Sequence, residues 1–160
     1  MKIRGKQFLI GAVSFASGFF LGGKALVRMI NDYKMRMERN LSNMQLFHDW
    51  LEFLYSGGSI EQYFHKHGYK KILIYGNGYI GQRLFHALEQ TDIDVVAVMD
   101  QINSSDSDAE GILIGVDSEM PDIDCAVITP MFYYDQIFHT LQTKTQCPII
   151  AVDMLWKNEP

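Results

Sequence analysis

Between residues 69 and 153 the chain repeats one pattern, a short apolar run followed by a polar or helically spaced stretch. The runs are Ile72-Leu73-Ile74-Tyr75, Val95-Val96-Ala97-Val98-Met99, Ile112-Leu113-Ile114-Gly115-Val116, Cys125-Ala126-Val127-Ile128 and Pro148-Ile149-Ile150-Ala151-Val152. Apolar runs this short, without polar alternation, predict strands covered on both faces, as in a parallel sheet between helices. Residues 78–90 predict a helix after the first run. Residues 132–142 predict another, with Ile137 and Leu141 one turn apart, and Met154-Leu155-Trp156 closes the chain. Residues 101–110 are polar and acidic and read as a surface loop, while 117–124, interrupted by Pro121, leave room for a turn or an abbreviated helix. Strands alternating with helices predict an α/β fold: a small parallel sheet of four to five strands ordered 3-2-1-4-5, with a crevice between the first and fourth.

The first connection carries the strongest chemical signal. Gly76-Asn77-Gly78-Tyr79-Ile80-Gly81 is a G-x-G-x-x-G turn between a strand and a helix, and Asp100 ends the next strand. This is the arrangement that binds a nucleotide in a β-α-β unit. Gly76 permits the tight turn, Gly78 lets a pyrophosphate approach the backbone, and Gly81 lets the helix pack closely on the sheet. The amides from Asn77 through Ile80 and Gly81 would face the phosphates. Asp100 would accept from the ribose hydroxyls, and its charge, which repels a 2′-phosphate, favours NAD over NADP. The alternative is the same unit used only as scaffold. In the expected strand order Thr129 and Pro130, at the end of the fourth strand, face the glycine turn. Thr129 can bond a phosphate or ribose and Pro130 can wall the pocket, or Thr-Pro simply ends the strand. Tyr133, Tyr134 and Asp135 follow at the same edge.

Upstream the pattern changes. Residues 8–23 read FLIGAVSFASGFFLGG without a charge, and Ala25, Leu26, Val27, Met29 and Ile30 extend the run past Lys24 and Arg28. A spanning helix needs about 20 apolar residues, with a lower limit near 17, so the segment is short but sufficient if Lys24 snorkels. A membrane anchor is expected here. A cleaved leader, with Ser14-Phe15-Ala16 as its small-x-small site, and a buried soluble helix are the competing readings. Gly18 and Gly22 give the G-x-x-x-G spacing of close helix pairs.

Charge sharpens this picture. Residues 1–40 hold eight Lys/Arg against Asp32 and Glu38, a balance of +6; with a net charge of −5, the remainder carries −5 − 6 = −11. A basic leader before an acidic body suits an anionic membrane surface and argues against a nucleic-acid partner. More basic residues follow the apolar span than precede it, which places the C-terminal body in the cytoplasm of a single-pass protein.

From Ile30 no Pro or Gly interrupts a helical pattern until Gly57-Gly58. Ile30, Met37, Met44 and Leu51 interleave with Tyr33, Asn40, Phe47 and Leu54 at 3-4 spacing. That suits a parallel coiled coil, hence a homodimer through the 30–54 helix. It also suits packing on the chain's own domain, since Leu41, Leu46, Trp50 and Phe53 widen the face. Ser59 and Gln62 offer a capping box for a two-turn helix that Gly68 stops. The expected organisation is an anchor at 1–30, a helical stalk and capping helix at 31–68, and a nucleotide-binding domain at 69–160.

Other chemistry is sparse. Cys125 and Cys147 lack metal spacing and read as reduced residues in or near the core. His65 and His67, two apart, face different sides of a helix. His86 and His139 fall on helices flanking the sheet. No Tyr-x-x-x-Lys pair exists: four residues after Tyr63, Tyr79, Tyr133 and Tyr134 stand His67, Arg83, Ile137 and Phe138. No serine elbow, zinc motif or Walker lysine is present, so no catalytic residue is assigned.

Residues 71–84, the run 95–100 and the stretch Ile123-Asp124-Cys125-Ala126-Val127-Ile128-Thr129-Pro130 resemble the Rossmann module of bacterial cell-surface polysaccharide biosynthesis proteins. These include membrane-bound nucleoside-diphosphate-sugar epimerases, sugar-phosphate transferases and sugar acyltransferases. The resemblance covers roughly residues 69–153 and implies nucleotide contacts at Gly76, Gly78, Gly81 and Asp100, with NAD(P) or a nucleotide-sugar as ligand. It implies a place in capsule or other surface-polysaccharide assembly, with a partner from that machinery. The chain departs from the family in lacking a catalytic module after the sheet. An accessory binding protein, a ligand-free adaptor and one half of an enzyme are the functions left open.

Overall fold

The computed structural model describes the backbone of residues 3–101 and 111–157, and side chains within those ranges from residue 23. The chain divides into two compact units, Met1–Leu41 and Ser42–Pro160.

In the second unit five parallel strands form one sheet: β1 (Lys71–Tyr75), β2 (Asp94–Asp100), β3 (Leu113–Gly115), β4 (Cys125–Ile128) and β5 (Ile149–Ala151), ordered β3-β2-β1-β4-β5. The uniformly apolar runs have their explanation in the two cores. Ile72 and Ile74 join Val98, Cys125, Val127 and Ile150 on one face, while Leu73 and Tyr75 join Ala97, Met99, Ala126 and Ile128 on the other. Alternate residues of β1 thus enter different cores, and each fully buried Ile or Leu contributes roughly 1.5–3 kcal/mol of transfer free energy. The β1–β2 register shifts between Ile72 and Leu73, whose partners are Val95 and Ala97, so Val96 is an extra residue in β2. At the start of β1 the Asp124 carboxylate accepts the backbone N–H groups of Lys70 (2.7 Å) and Lys71 (2.8 Å), tying β1 to the segment that enters β4.

One face is covered by α2 (Ile60–His67), α3 (Tyr79–Leu88), α5 (Met154–Lys157) and the last part of α1 (Ile3–Tyr55). The other carries α4 (Tyr134–Gln142), entered through a 3-10 turn at Met131–Tyr133, with Val116, Met120 and Ile123 from the β3–β4 connection. That connection holds turns and no helix. Ser59 sits at the N-cap of α2, but the expected capping box does not form; the Gln62 backbone N–H donates to the Ser59 backbone carbonyl instead (3.2 Å). Gly68, at φ +72°, closes the helix in the left-handed conformation as expected, with the Tyr69 N–H reaching the Phe64 carbonyl.

The packing of residues 42–55 decides between the two readings of the amphipathic helix. Leu46 and Trp50 are buried in the core with Ile60, Tyr63 and Phe64, and Trp50 stacks on Trp156 at 5.7 Å between centroids. Met44 and Leu54 remain exposed. Residues 42–68 therefore cluster with the sheet, in the second compact unit. In the first unit Leu26, Val27, Met29, Ile30, Tyr33, Met35, Met37 and Leu41 are all exposed. Among the described residues no helix is long and apolar enough to cross a membrane. The run 8–23, where the anchor is expected, lies outside the residues whose side chains are described.

Candidate functional site

At the carboxyl end of β1 the chain turns through Gly76, whose φ of +103° belongs to the left-handed region that side chains disfavour. A Cβ there would also meet the Thr129 hydroxyl at 2.6 Å and the Pro130 ring at 2.7 Å. Gly81 stands in the first turn of α3, where a Cβ would lie 1.8 Å from the Gly76 carbonyl oxygen, so the helix start rests on the turn's own backbone. Gly78 differs. It has ordinary φ (−79°), forms the N-cap of α3, and a Cβ on it would meet nothing within 4 Å. The glycine turn is open at its middle glycine and closed at the outer two.

Gly78, at the N-cap of α3, has no side chain with which to cap it. Its first amides lack intrahelical acceptors, which is where an anion is held. Asp100 turns toward this point: its Oδ2 accepts the Asn77 N–H at 2.5 Å, and Asp100 is only partly buried. One loop amide is therefore directed at Asp100. Gln82 Nε2 donates to the Asn77 carbonyl (3.3 Å), and the Asn77 side chain is buried.

Thr129 and Pro130 meet the turn across the β1–β4 boundary, as the strand order predicts. The Thr129 hydroxyl donates to the carbonyls of Tyr75 (3.0 Å) and Gly76 (3.3 Å), and its amide donates to Tyr75 as well. Its proton holds the turn in place, and Pro130 fills the space that Gly76 leaves. Tyr75 points to the opposite core from Ile74. Burial first, and the Asp100 charge to a smaller degree, push its phenol above the usual range against an opposing hydrogen bond with Gln101. A phenol so placed stays protonated at neutral pH.

Beyond the motif, the structure adds partners with no local sequence signal. Tyr79 is exposed, with the Arg83 guanidinium 5.2 Å from its ring centroid and Phe47 of α1 edge-on at 5.6 Å. An open depression of about 590 Å³ lined by Gln101, Gly115, Val116, Asp117 and Ser118 lies at the carboxyl ends of β2 and β3, adjoining Asp100 in sequence and in strand pairing. The remaining sequence candidates lie apart. Tyr134 stacks on Phe138 against the second core, and Tyr133 is exposed beside Phe132. His65 pairs with Asp92 at 2.5 Å, while His67 reaches the Tyr63 carbonyl, so the two imidazoles diverge. His86 pairs with Glu89. Cys125 and Cys147 are free thiols, the first buried and the second partly so.

Residues 68–146 match a family model described as C2185-like, N-terminal. The matched stretch contains the glycine turn, Asp100, Thr129 and Pro130, and ends before β5. No curated protein and no solved structure matches the chain.

Proposed function

We propose that this chain is a membrane-tethered nucleotide-binding protein that acts as an accessory or regulator in cell-surface polysaccharide assembly without a reaction of its own. The observation that carries the binding is the space above Gly78, at the start of α3 and beside Asp100. A diphosphate would lie against the α3 amides, and its ribose against Asp100, with NAD or a nucleotide-sugar as the ligand class. The pathway and the polysaccharide-assembly partner come from the resemblance of the β1–α3–β2 segment alone. The tether is read from the uncharged run 8–23, and a cytoplasmic second unit is read from its basic flanks by the positive-inside rule.

The test is isothermal titration of the full-length chain in detergent micelles with NAD, NADH, NADP, UDP-glucose and UDP-N-acetylglucosamine. Saturable binding that Gly78→Val abolishes while the thermal melt stays in place is expected, with NAD ahead of NADP. No heat with any of these at millimolar concentration would reject the reading.

A second reading, a ligand-free adaptor, is favoured by the internal use of two site groups. The Asn77 amide is spent on Asp100 and the Thr129 proton on β1 carbonyls. In an adaptor Gly78→Val leaves biological function intact, which separates the two.

A further inference from the structure

The exposed face of α1 points to an interaction surface that does not rest on the nucleotide reading. Leu26, Ile30, Tyr33, Met37 and Met44 are each more than half exposed (53, 54, 70, 53 and 69 %), far from the burial such side chains seek. They follow a heptad register. Ile30, Met37 and Met44 are a positions; Leu26 and Tyr33 are d positions, with Asn40 as the remaining d. Leu46 and Trp50, which enter the core of the second unit, stand at c and g and so outside this seam. Val27, Met29, Met35 and Leu41, at e, g, f and e, are exposed as well, so the seam is the a/d part of a wider apolar surface.

We propose that residues 26–44 of α1 pair with the same segment of a second copy in a short, parallel, in-register coiled coil. The polar Asn40 within the seam and the absence of like-charge pairs across it favour this occupant. A helix lying in a bilayer interface carries its basic residues beside the apolar face, where they meet the headgroups. Here Lys24, Arg28 and Arg39 fall at b, f and c, away from the stripe, while Lys34 and Arg36 flank it at e and g. Across a parallel seam the flanking g and e positions pair Met29 with Lys34, Arg36 with Leu41, and Asn43 with His48, and none of these sets two like charges together. Lys34 already has Glu38 of its own helix at 3.8 Å. The stems of Lys34 and Arg36 can cover the seam, and Leu41 at e gives Arg36 an apolar surface to lie on. Asn40 is the one polar residue in the seam, and a parallel, in-register pair sets its amide against an identical amide that both donates and accepts.

Disulfide mapping of the full-length chain tests the geometry. Cys147→Ser removes the partly exposed native thiol, leaving only the buried Cys125. Into that background Ile30→Cys and Met44→Cys are introduced singly as seam positions, and Arg28→Cys and Arg39→Cys as outer ones. After mild oxidation in lysates of expressing cells, each seam variant is expected to form a covalent homodimer at least about ten times more efficiently than each outer variant. Adding Met37→Glu to the Ile30→Cys chain is expected to abolish its dimer. Crosslinking that is equal at seam and outer positions, or absent from the seam, would overturn the proposal. So would crosslinking that appears only when Ile30→Cys and Met44→Cys chains are mixed, because those positions lie symmetrically about Met37 and meet only in an antiparallel pair.

Discussion

The three glycines of the turn do different physical work, and substitution separates them. Gly76→Ala strains a backbone at φ +103° and drives a methyl into Thr129 and Pro130; Gly81→Ala drives one into the Gly76 carbonyl. Each is expected to cost on the order of 2–4 kcal/mol in urea unfolding. Gly78→Ala meets nothing, and its midpoint should shift by less than about 1 kcal/mol. Equal costs at all three would show that the middle glycine is structural too. The spacing of these glycines was legible because each answers a local backbone demand. The engagement of Thr129 was not, since nothing near it in sequence says that its hydroxyl bonds carbonyls on β1, over fifty residues away. Thiol chemistry offers a second check at this scale. Burial pushes the Cys125 thiol up to about 12, so it stays protonated and shielded, whereas Cys147 is partly exposed. A disulfide reagent at pH 8 should label one thiol in the native protein and two after denaturation. Rapid labelling of two in the native state would place Cys125 outside the core.

Among the elements, the end of α1 proves to be part of the sheet module. Trp50, stacked on Trp156, joins α1 to α5, and Trp50→Ala should lower stability by about 3–5 kcal/mol. The same exchange at Met44, exposed on this helix, should change it by less than about 0.5 kcal/mol. Sequence alone left this undecided because apolar residues lie on two faces of the helix, and periodicity cannot say which face finds the sheet. β1, α3 and β2 were readable from run length and the motif between them. The extra residue at Val96 was not, since a bulge is a mismatch between two strands rather than a property of one. Strand pairing also sets an acid response. The Lys71 and Lys70 amides hold the Asp124 carboxyl below its ordinary range. A depressed folded-state pKa means stabilisation that is present above the unfolded value, near 4, and lost as pH falls through the folded value. Asp124→Asn should therefore be less stable than the parent at pH 7, and the gap should narrow below about pH 4. A gap that stays constant to pH 2 would assign the loss to geometry rather than ionisation.

At the scale of the whole molecule, charge and exposure point the same way. The first forty residues carry +6 and the rest −11, so an anionic surface attracts one end of the chain and repels the other. Attraction of this kind alone would be released by salt. Insertion of the uncharged run 8–23 would not be, because its hydrophobic contribution does not depend on ionic strength. The full-length chain is thus expected to stay in the membrane pellet through both 1 M salt and alkaline carbonate, and a chain lacking residues 2–23 to be released by salt. Protease added to intact cells should spare a C-terminal tag, and added to inverted vesicles should remove it. Release of the full-length chain by salt would reduce the anchor to a surface contact, and digestion of the tag on intact cells would reverse the orientation. Either result would leave the glycine turn as it stands, because the space above Gly78 and the bond between Asn77 and Asp100 are formed entirely within the second unit.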